Sequence, residues 1–546
     1  MNICPSKLKN ALRADFRLRY WIPMVGFGVF LAFYIINQSS PLEQNIILEY
    51  IRDVLPEILA AGAGAIVANY LNDYKDKSLK IMPHMVYPGV FSIFLVFIIL
   101  IFSGVFTTVE IKICGNMYGQ FSGEKIKVIN KDLKKIKGRV KVILCQDYNK
   151  IAPQVKDASQ SVNVTNVYSF LCNKLKGDDF RCDIFEIDGV WLSDFAQKNW
   201  IIPIDSYREK ADNRYTFGID HEVCKLKYPV DNPHSLKVFG VPNSVNVGFL
   251  MYRVDLFNKL IQKNSEPASW DELIEWLYEI REKYGSTYDG FVFQADQYEG
   301  LLCCYLEILW AMGGEIFIHN GIPRVYTPEG VKTLCLLKKL LADGIVPKEV
   351  LTFNEVMSMD HFIQGKTLVY RNWPMFFYRI QHDDTYRDLR NKVNVVSKPL
   401  PFRGVSASSA KMCLGGFVYA ISKHAYDDGK AKLAMQVIEY LTSEEYFTEN
   451  VFPSQYDPEK RAFSVNIPPN QMVLDNVRGY KDALDYSYLF LKNRNYRVRP
   501  KIAQYNQFST ILVKHIHQCL KYEKLSAEKA LKNAQEEIMN TLYSKQ

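Results

Sequence analysis

Nothing in these 546 residues carries the ligand spacing of a zinc site. The 11 cysteines, an odd number scattered from Cys4 to Cys519, include one adjacent pair, Cys303-Cys304, and no CxxC. A structural zinc module and a disulfide framework are thereby excluded as the source of the fold, and most thiols read as small buried hydrophobes. Low-complexity composition is missing too: 48% hydrophobic against 23% charged residues fits a globular chain with some membrane content. The net charge of +8 is modest for this length. Without a dense Lys/Arg helix, finger spacing or an aromatic RNA-binding signature, nucleic acid is not an expected partner. No metal or cofactor motif is present, so neither is expected.

What the chain does have begins with three apolar runs. The first, near 21–37, follows Lys7, Lys9, Arg13, Arg17 and Arg19, and Asn37-Gln-Ser-Ser-Pro41 is a poor cleavage site, so it reads as an anchor. The second, near 54–71, is rich in Ala and Gly and weakly hydrophobic; the third, near 86–107, is the clearest span. If all three cross, both the N-terminal basic cluster and the loop with Lys75, Lys77 and Lys80 lie inside, as the positive-inside rule prefers, and the large C-terminal region lies outside. If two cross, that region lies inside. The sequence thus divides into a membrane region over 1–110, a linker over 111–139 and a body over 140–546.

The body alternates strands with helices, an α/β pattern. Val140 to Cys145 reads as its first strand. Asp183 to Ile187 reads as another, broken at Asp188-Gly189, with a helix from Trp191 to Lys198 that turns Phe195 and Ala196 inward. Asp188 at that break is placed either to accept hydrogen bonds from ligand hydroxyls or to cap the helix. Val238 to Arg253 reads as strand, turn, strand, and leaves Ser244 and Asn246 as neutral polar contacts. Ser269 and Glu272 form a capping box before an amphipathic helix. Tyr298-Glu299-Gly300 opens a strongly apolar helix that Gly313-Gly314 closes. At Gln364 to Pro374 a turn leads into a strand that stops abruptly and leaves Trp373 at its end, a core residue or a stacking platform for the apolar face of a sugar.

Taken together, these stretches resemble the extracellular solute-binding proteins of carbohydrate ABC importers, the maltose- and trehalose-binding type. The likeness runs through Asp183 to Asp205, Phe239-Gly-Val-Pro242, Gly248 to Phe257 and Pro267 to Leu273. It continues through Gln297 to Leu301, Leu309 to Gly314, Phe362 to Phe376, Pro399-Leu-Pro401, Leu414 to Phe417 and Arg499 to Tyr505. It covers about 140 to 540 and leaves out the membrane region.

The resemblance implies a type II periplasmic-binding-protein-like fold, two α/β lobes discontinuous in sequence, closing on a sugar or oligosaccharide. Carried over by position, Asp188 and the neighbouring Trp191, Ser244, Asn246 and Glu299 fall at the ligand site. Trp373 would stack on a pyranose ring, Gly415 and Gly416 would let backbone amides approach, Phe417 stands where a Trp is common, and Arg499 would reach a hydroxyl or steady a carboxylate. Partners would then be the sugar, membrane lipid around the N-terminal helices and ABC permease subunits, with the body outside the cell membrane. A ligand sensor or scaffold is a different class of reading. So is a thiamine-degrading transferase on a similar fold, for which Cys145, Cys182 or Cys413 would be nucleophile and Glu186 or Glu299 the base.

Overall fold

The computed structural model describes residues 108–544, apart from 116–122, 138–139, 146–163, 178–179, 209–218, 228–234, 320–321, 448–466, 470–473, 475–482 and 503. The three apolar runs near 21–37, 54–71 and 86–107 therefore lie outside the described residues. Among the described residues no helix is long and apolar enough to cross a membrane. The chain divides into two compact units. One comprises Met1–Glu110, Lys137–Lys141 and Asp427–Gly429; the other, Ile111–Ile136, Val142–Tyr426 and Lys430–Gln546, holds the cores and the site.

Two sheets organise the described residues, each with its own apolar core. The first contains β1 (Val109–Cys114), β2 (Val140–Leu144), β3 (Ile184–Asp188), β4 (Val241–Pro242) and a late strand, Phe417–Ile421, in the order β2, β1, β3, Phe417–Ile421, β4. β1 runs parallel to β3, and Phe417–Ile421 runs antiparallel to it with Phe417 opposite Asp188. Residues 111–139, expected as a linker, thus hold an interior strand of the sheet and the helix Gly123–Lys137. The core of this lobe gathers Leu171, Phe185, Ile187, Trp191, Phe195 and Phe239.

The second sheet contains β6 (Phe249–Arg253), β7 (Asp289–Val292), β8 (Thr367–Asn372) and β9 (Val393–Val395), in the order β9, β6, β8, β7. β8 pairs antiparallel with β6 and parallel with β7. Its helices follow from local sequence. Helix Trp270–Tyr284 starts where the Ser269 hydroxyl accepts from the Glu272 amide, while the Glu272 carboxylate reaches back to the Ala268 amide at 2.7 Å; two otherwise unpartnered donors are satisfied at once. Helix Glu299–Ala311 is apolar on nearly every face and buried from Gly300 onward, ending beside Gly313 at φ +79°.

Between the lobes the chain passes through a third, small sheet. β5 (Asn246–Val247) links β4 to β6. β10 (Met412–Gly415) returns the chain through Gly416 to the strand Phe417–Ile421, here β11, and β12 (Tyr496–Val498) lies parallel to β10. Gly416 has φ +127°, and a Cβ there would fall 2.1 Å from the Ser244 carbonyl oxygen. Only glycine fits this crossing.

Candidate functional site

The crossing strands border a hollow of about 570 Å³, counting its open mouth. Asp188, Ser193, Glu222, Ser244, Gly415, Gly416, Phe417, Arg499 and Lys501 line it. Asp188 sits where β3 ends. Its Oδ1 accepts from the Val190 amide at 3.1 Å, capping the short turn Gly189–Trp191, and from Arg499 Nη2 at 2.5 Å. The capping reading therefore holds, joined by an ion pair that spacing alone does not reveal.

Arg499, at the end of β12 and 5% exposed, also donates from Nη1 to Glu299 Oε1 at 2.9 Å. Glu299 lies in the first turn of Glu299–Ala311. Its Oε1 accepts from the Tyr505 hydroxyl at 2.5 Å and its Oε2 from the Ser509 hydroxyl at 2.7 Å. Burial works against the Arg499 charge, but Asp188 and the other groups around it more than offset this, so the guanidinium titrates well above its usual range. Arg499 Nε is buried with no hydrogen-bond partner. One cation thus ties a carboxylate of the first lobe to a carboxylate of the second.

Ser244 Oγ accepts from the Phe417 amide at 3.2 Å. Asn246 is buried opposite Gly415 in the small sheet, and Phe417 is buried opposite Asp188. Burial raises Glu222 from its ordinary value and lowers Lys501 from its own. Trp373 stands at the end of β8, just before the helix Pro374–His382, and is half-buried. Its ring lies against Gly415, where a Cβ would meet it at 3.2 Å, and its Nε1 donates to Glu355 Oε1 at 3.4 Å. The indole thus borders a residue that lines the hollow without lining it. Trp191, by contrast, is 3% exposed and packs in the first lobe's core, edge-on to Tyr168 at 5.3 Å between ring centroids and stacked on Phe195 at 6.4 Å. The structure brings Asp188, Ser244, Glu299, Gly415, Gly416, Phe417 and Arg499 together and keeps Trp191 away from solvent.

Two of the three cysteines named as nucleophiles, Cys182 and Cys413, lack the setting that role needs, while Cys145 is half-buried. Cys182 and Cys413 are buried, and burial pushes both thiols up, whereas a nucleophilic thiol is partly exposed and held down by nearby positive charge. Glu186 is fully buried and accepts from Asn243 Nδ2 at 2.6 Å. Among the described residues no cluster of His, Cys, Asp and Glu could hold a metal ion.

Two α/β lobes joined by crossing strands, beside a hollow whose largely apolar wall carries a few charged and hydroxyl groups, define the periplasmic-binding-protein-like class of fold. The model of the family described as bacterial extracellular solute-binding protein matches residues 174–446, half of the chain. The chain belongs to that family, whose members bind solutes rather than catalyse reactions. A curated relative from Deinococcus radiodurans, named "Probable ABC transporter-binding protein", is 27% identical over 226 residues, which are 41% of this chain and 51% of the relative. The chain spans about half the length of the curated relatives it matches. Maltose-bound T. maritima MalE3 is similar at a TM-score of 0.57 and 22% identity, covering 80% of this chain and 100% of that one. An ABC transporter solute binding protein from Thermotoga lettingae bound with alpha-D-tagatose is similar at 0.58 and 20% identity, covering 80% and 99%. At these identities the two structures speak for the fold alone.

Sequence reading missed Tyr505 and Ser509 as the holders of Glu299, and Glu222 and Lys501 in the hollow. It also missed an Arg371–Glu307 pair in the second lobe, with Nη2 to Oε1 at 2.6 Å and Nε to Oε2 at 3.0 Å. A signal for that pair was present: one arginine in the apolar strand Thr367–Asn372, and one glutamate deep in the apolar helix Glu299–Ala311. Two charges of opposite sign on buried elements are strongly favoured to meet.

Proposed function

We propose that this chain is an extracytoplasmic carbohydrate-binding protein, tethered to the cell membrane by its N-terminal apolar runs, that serves an ABC uptake system for a sugar or oligosaccharide. The observation that carries this reading is the hollow beside the lobe crossings, lined by Asp188, Ser244 and the glycine backbone at 415–416, with the Trp373 indole against its Gly415 wall. Hydroxyl partners beside a flat apolar ring suit a pyranose, which offers hydroxyls at its edge and C–H groups on its face. Two carboxylates, Asp188 and Glu222, line the hollow with two cations, Arg499 and Lys501. That balance favours a neutral, hydroxyl-rich solute over an anion.

Asp188, Ser244, Asn246, Glu299, Gly415, Gly416, Phe417 and Arg499 form the ligand side of the crossings and Trp373 the stacking platform. Trp191 acts from the core by holding the turn that Asp188 caps. The name of the Deinococcus relative supports the transport context. The basic cluster from Lys7 to Arg19 and the length of the run near 86–107 support the tether.

A thermal-shift panel of mono- and oligosaccharides on the full chain in detergent tests the binding. At least one sugar is expected to raise the melting temperature, because a ligand bound only by the folded state stabilises it. Protease accessibility in intact cells tests the side: cleavage of the body without lysis is expected, and full protection contradicts the extracytoplasmic assignment.

A further inference from the structure

Arg371 and Glu307 do more than neutralise one another. The guanidinium carbon of Arg371 stands 4.1 Å from the centre of the Trp373 ring, so the cation lies against the indole. Glu307, which grips Arg371 with both oxygens, also accepts from the Cys413 amide at 3.0 Å, within the crossing strand β10. On the other crossing, a Cβ on Gly248 would fall 2.3 Å from Glu307 Oε1 and 2.6 Å from Arg371 Nη2, and the Gly248 amide donates to the Cys413 carbonyl at 3.0 Å. Gln294 Oε1 accepts from Arg371 Nη1 at 3.2 Å. The pair is therefore wedged against both crossings at the point where they are hydrogen-bonded to each other. The ring it supports touches Gly415 two residues further along β10.

We propose that Arg371, clamped by Glu307 against the two crossing segments, is a positioning residue that sets the angle of the Trp373 indole and couples that ring to the crossing strands. The inference rests on the reading of the hollow as a sugar site, and it goes further by assigning a role to two residues remote from that hollow. A guanidinium is flat and fixes the plane of a ring stacked on it, whereas an ammonium on a flexible stem does not. Arg371→Lys therefore keeps the buried charge opposite Glu307 and removes the plane. Because Glu307 holds Arg371 and β10 together, a movement of the crossing strands shifts the guanidinium and with it the indole.

The test is made on the full chain in detergent and has two arms. The first needs no sugar. The contribution of Trp373 among the seven tryptophans is isolated as the difference between wild type and Trp373→Phe, in near-ultraviolet circular dichroism and in acrylamide quenching. Arg371→Lys is expected to abolish most of the Trp373 dichroism and to raise its quenching at least twofold; an unchanged difference spectrum overturns the proposal. The second arm titrates maltose into wild type, Arg371→Lys, Trp373→Ala and the double variant. Arg371→Lys is expected to weaken maltose binding at least fivefold in the wild-type background and less than twofold in the Trp373→Ala background. Equal losses in both backgrounds overturn the proposal, because a merely structural arginine acts without the indole. Should Arg371→Lys fail to fold, Glu307→Gln, which keeps the shape of the clamp, is carried through both arms with the same expectations. If Trp373→Ala leaves maltose affinity unchanged, the sugar-stacking reading fails, while the first arm still decides the positioning role.

Discussion

Asp188 and Arg499 stand 311 positions apart in sequence and 2.5 Å apart in space. The same guanidinium reaches Glu299 in the other lobe, so three charged groups that the chain delivers from far apart share one small buried volume. Such a triad weighs more in its breaking than in its making, since the loss of one member leaves the others desolvated and unpaired. Its importance lies in position: it ties the two lobes beside the strands on which they would turn.

Arg499→Met is expected to destabilise the fold by about 3–5 kcal/mol, the range for removing one partner of a buried ion pair. Asp188→Asn keeps the helix cap and loses the charge, so its cost is expected at about 1–3 kcal/mol. Urea unfolding of the two variants beside wild type measures both, and a smaller loss for Arg499→Met than for Asp188→Asn contradicts the bridging geometry.

Two tryptophans are expected to separate stability from binding. Trp191→Ala empties a packed core and should cost about 3–5 kcal/mol of stability. Trp373→Ala, half-buried at a strand end, should leave the melting temperature closer to wild type and weaken sugar affinity roughly tenfold, about 1.4 kcal/mol. Melting curves and isothermal titration with the sugars that shift the wild type check this, and the reverse pattern refutes the placement of the two rings.

Gly416→Ala must adopt φ +127° with a Cβ 2.1 Å from the Ser244 carbonyl oxygen. A cost of about 3 kcal/mol or more is expected from strain and collision together. Gly404, at φ +77° with nothing within 4 Å of a built Cβ, carries the strain without the collision, so Gly404→Ala should cost about 1 kcal/mol. Denaturant midpoints of the pair give the comparison.

Lys501 supplies a pH dependence with a defined sign. Burial lowers its pKa below 10.5 in the folded chain. Between that lowered value and 10.5 the unfolded chain holds more protons than the native one, so this lysine makes stability rise with pH across the window. Lys501→Met is expected to be the flatter of the two in that range when unfolding is followed against pH, and a parallel pair of curves contradicts the burial.

The strand-to-helix break at Asp188 and the capping box at Ser269 were legible because each is a local event, set by residues within four positions. The lobed architecture was legible through the order of many short stretches. What escaped depends on closure in three dimensions. Residues 111–139 read as a linker, since the short strand Val109–Cys114 mixes Glu110 and Lys112 with its apolar positions and announces a sheet interior only when β3 lies beside it. Arg499 and Glu299 each looked able to meet a ligand, and no spacing rule foretells that they meet each other. Trp191 and Trp373 both follow a strand end, one as the last residue of the turn that Asp188 caps and one directly. The first packs into the core because Phe195, four residues on, and Tyr168 stand there to receive it; Phe195 is local, but Tyr168 comes from a helix that the sequence around Trp191 does not encode.

Hydrogen exchange of the full chain with and without maltotriose tests the central claim most directly, because it reports where a sugar is held and whether the crossings respond. Slower exchange is expected at 188–191, 244–248 and 413–417, the segments that wall the hollow and carry the chain between the lobes. Slowing confined to the outer helices, or no change at these three segments with any sugar that shifts the melting temperature, would contradict the assignment of this hollow as the binding site.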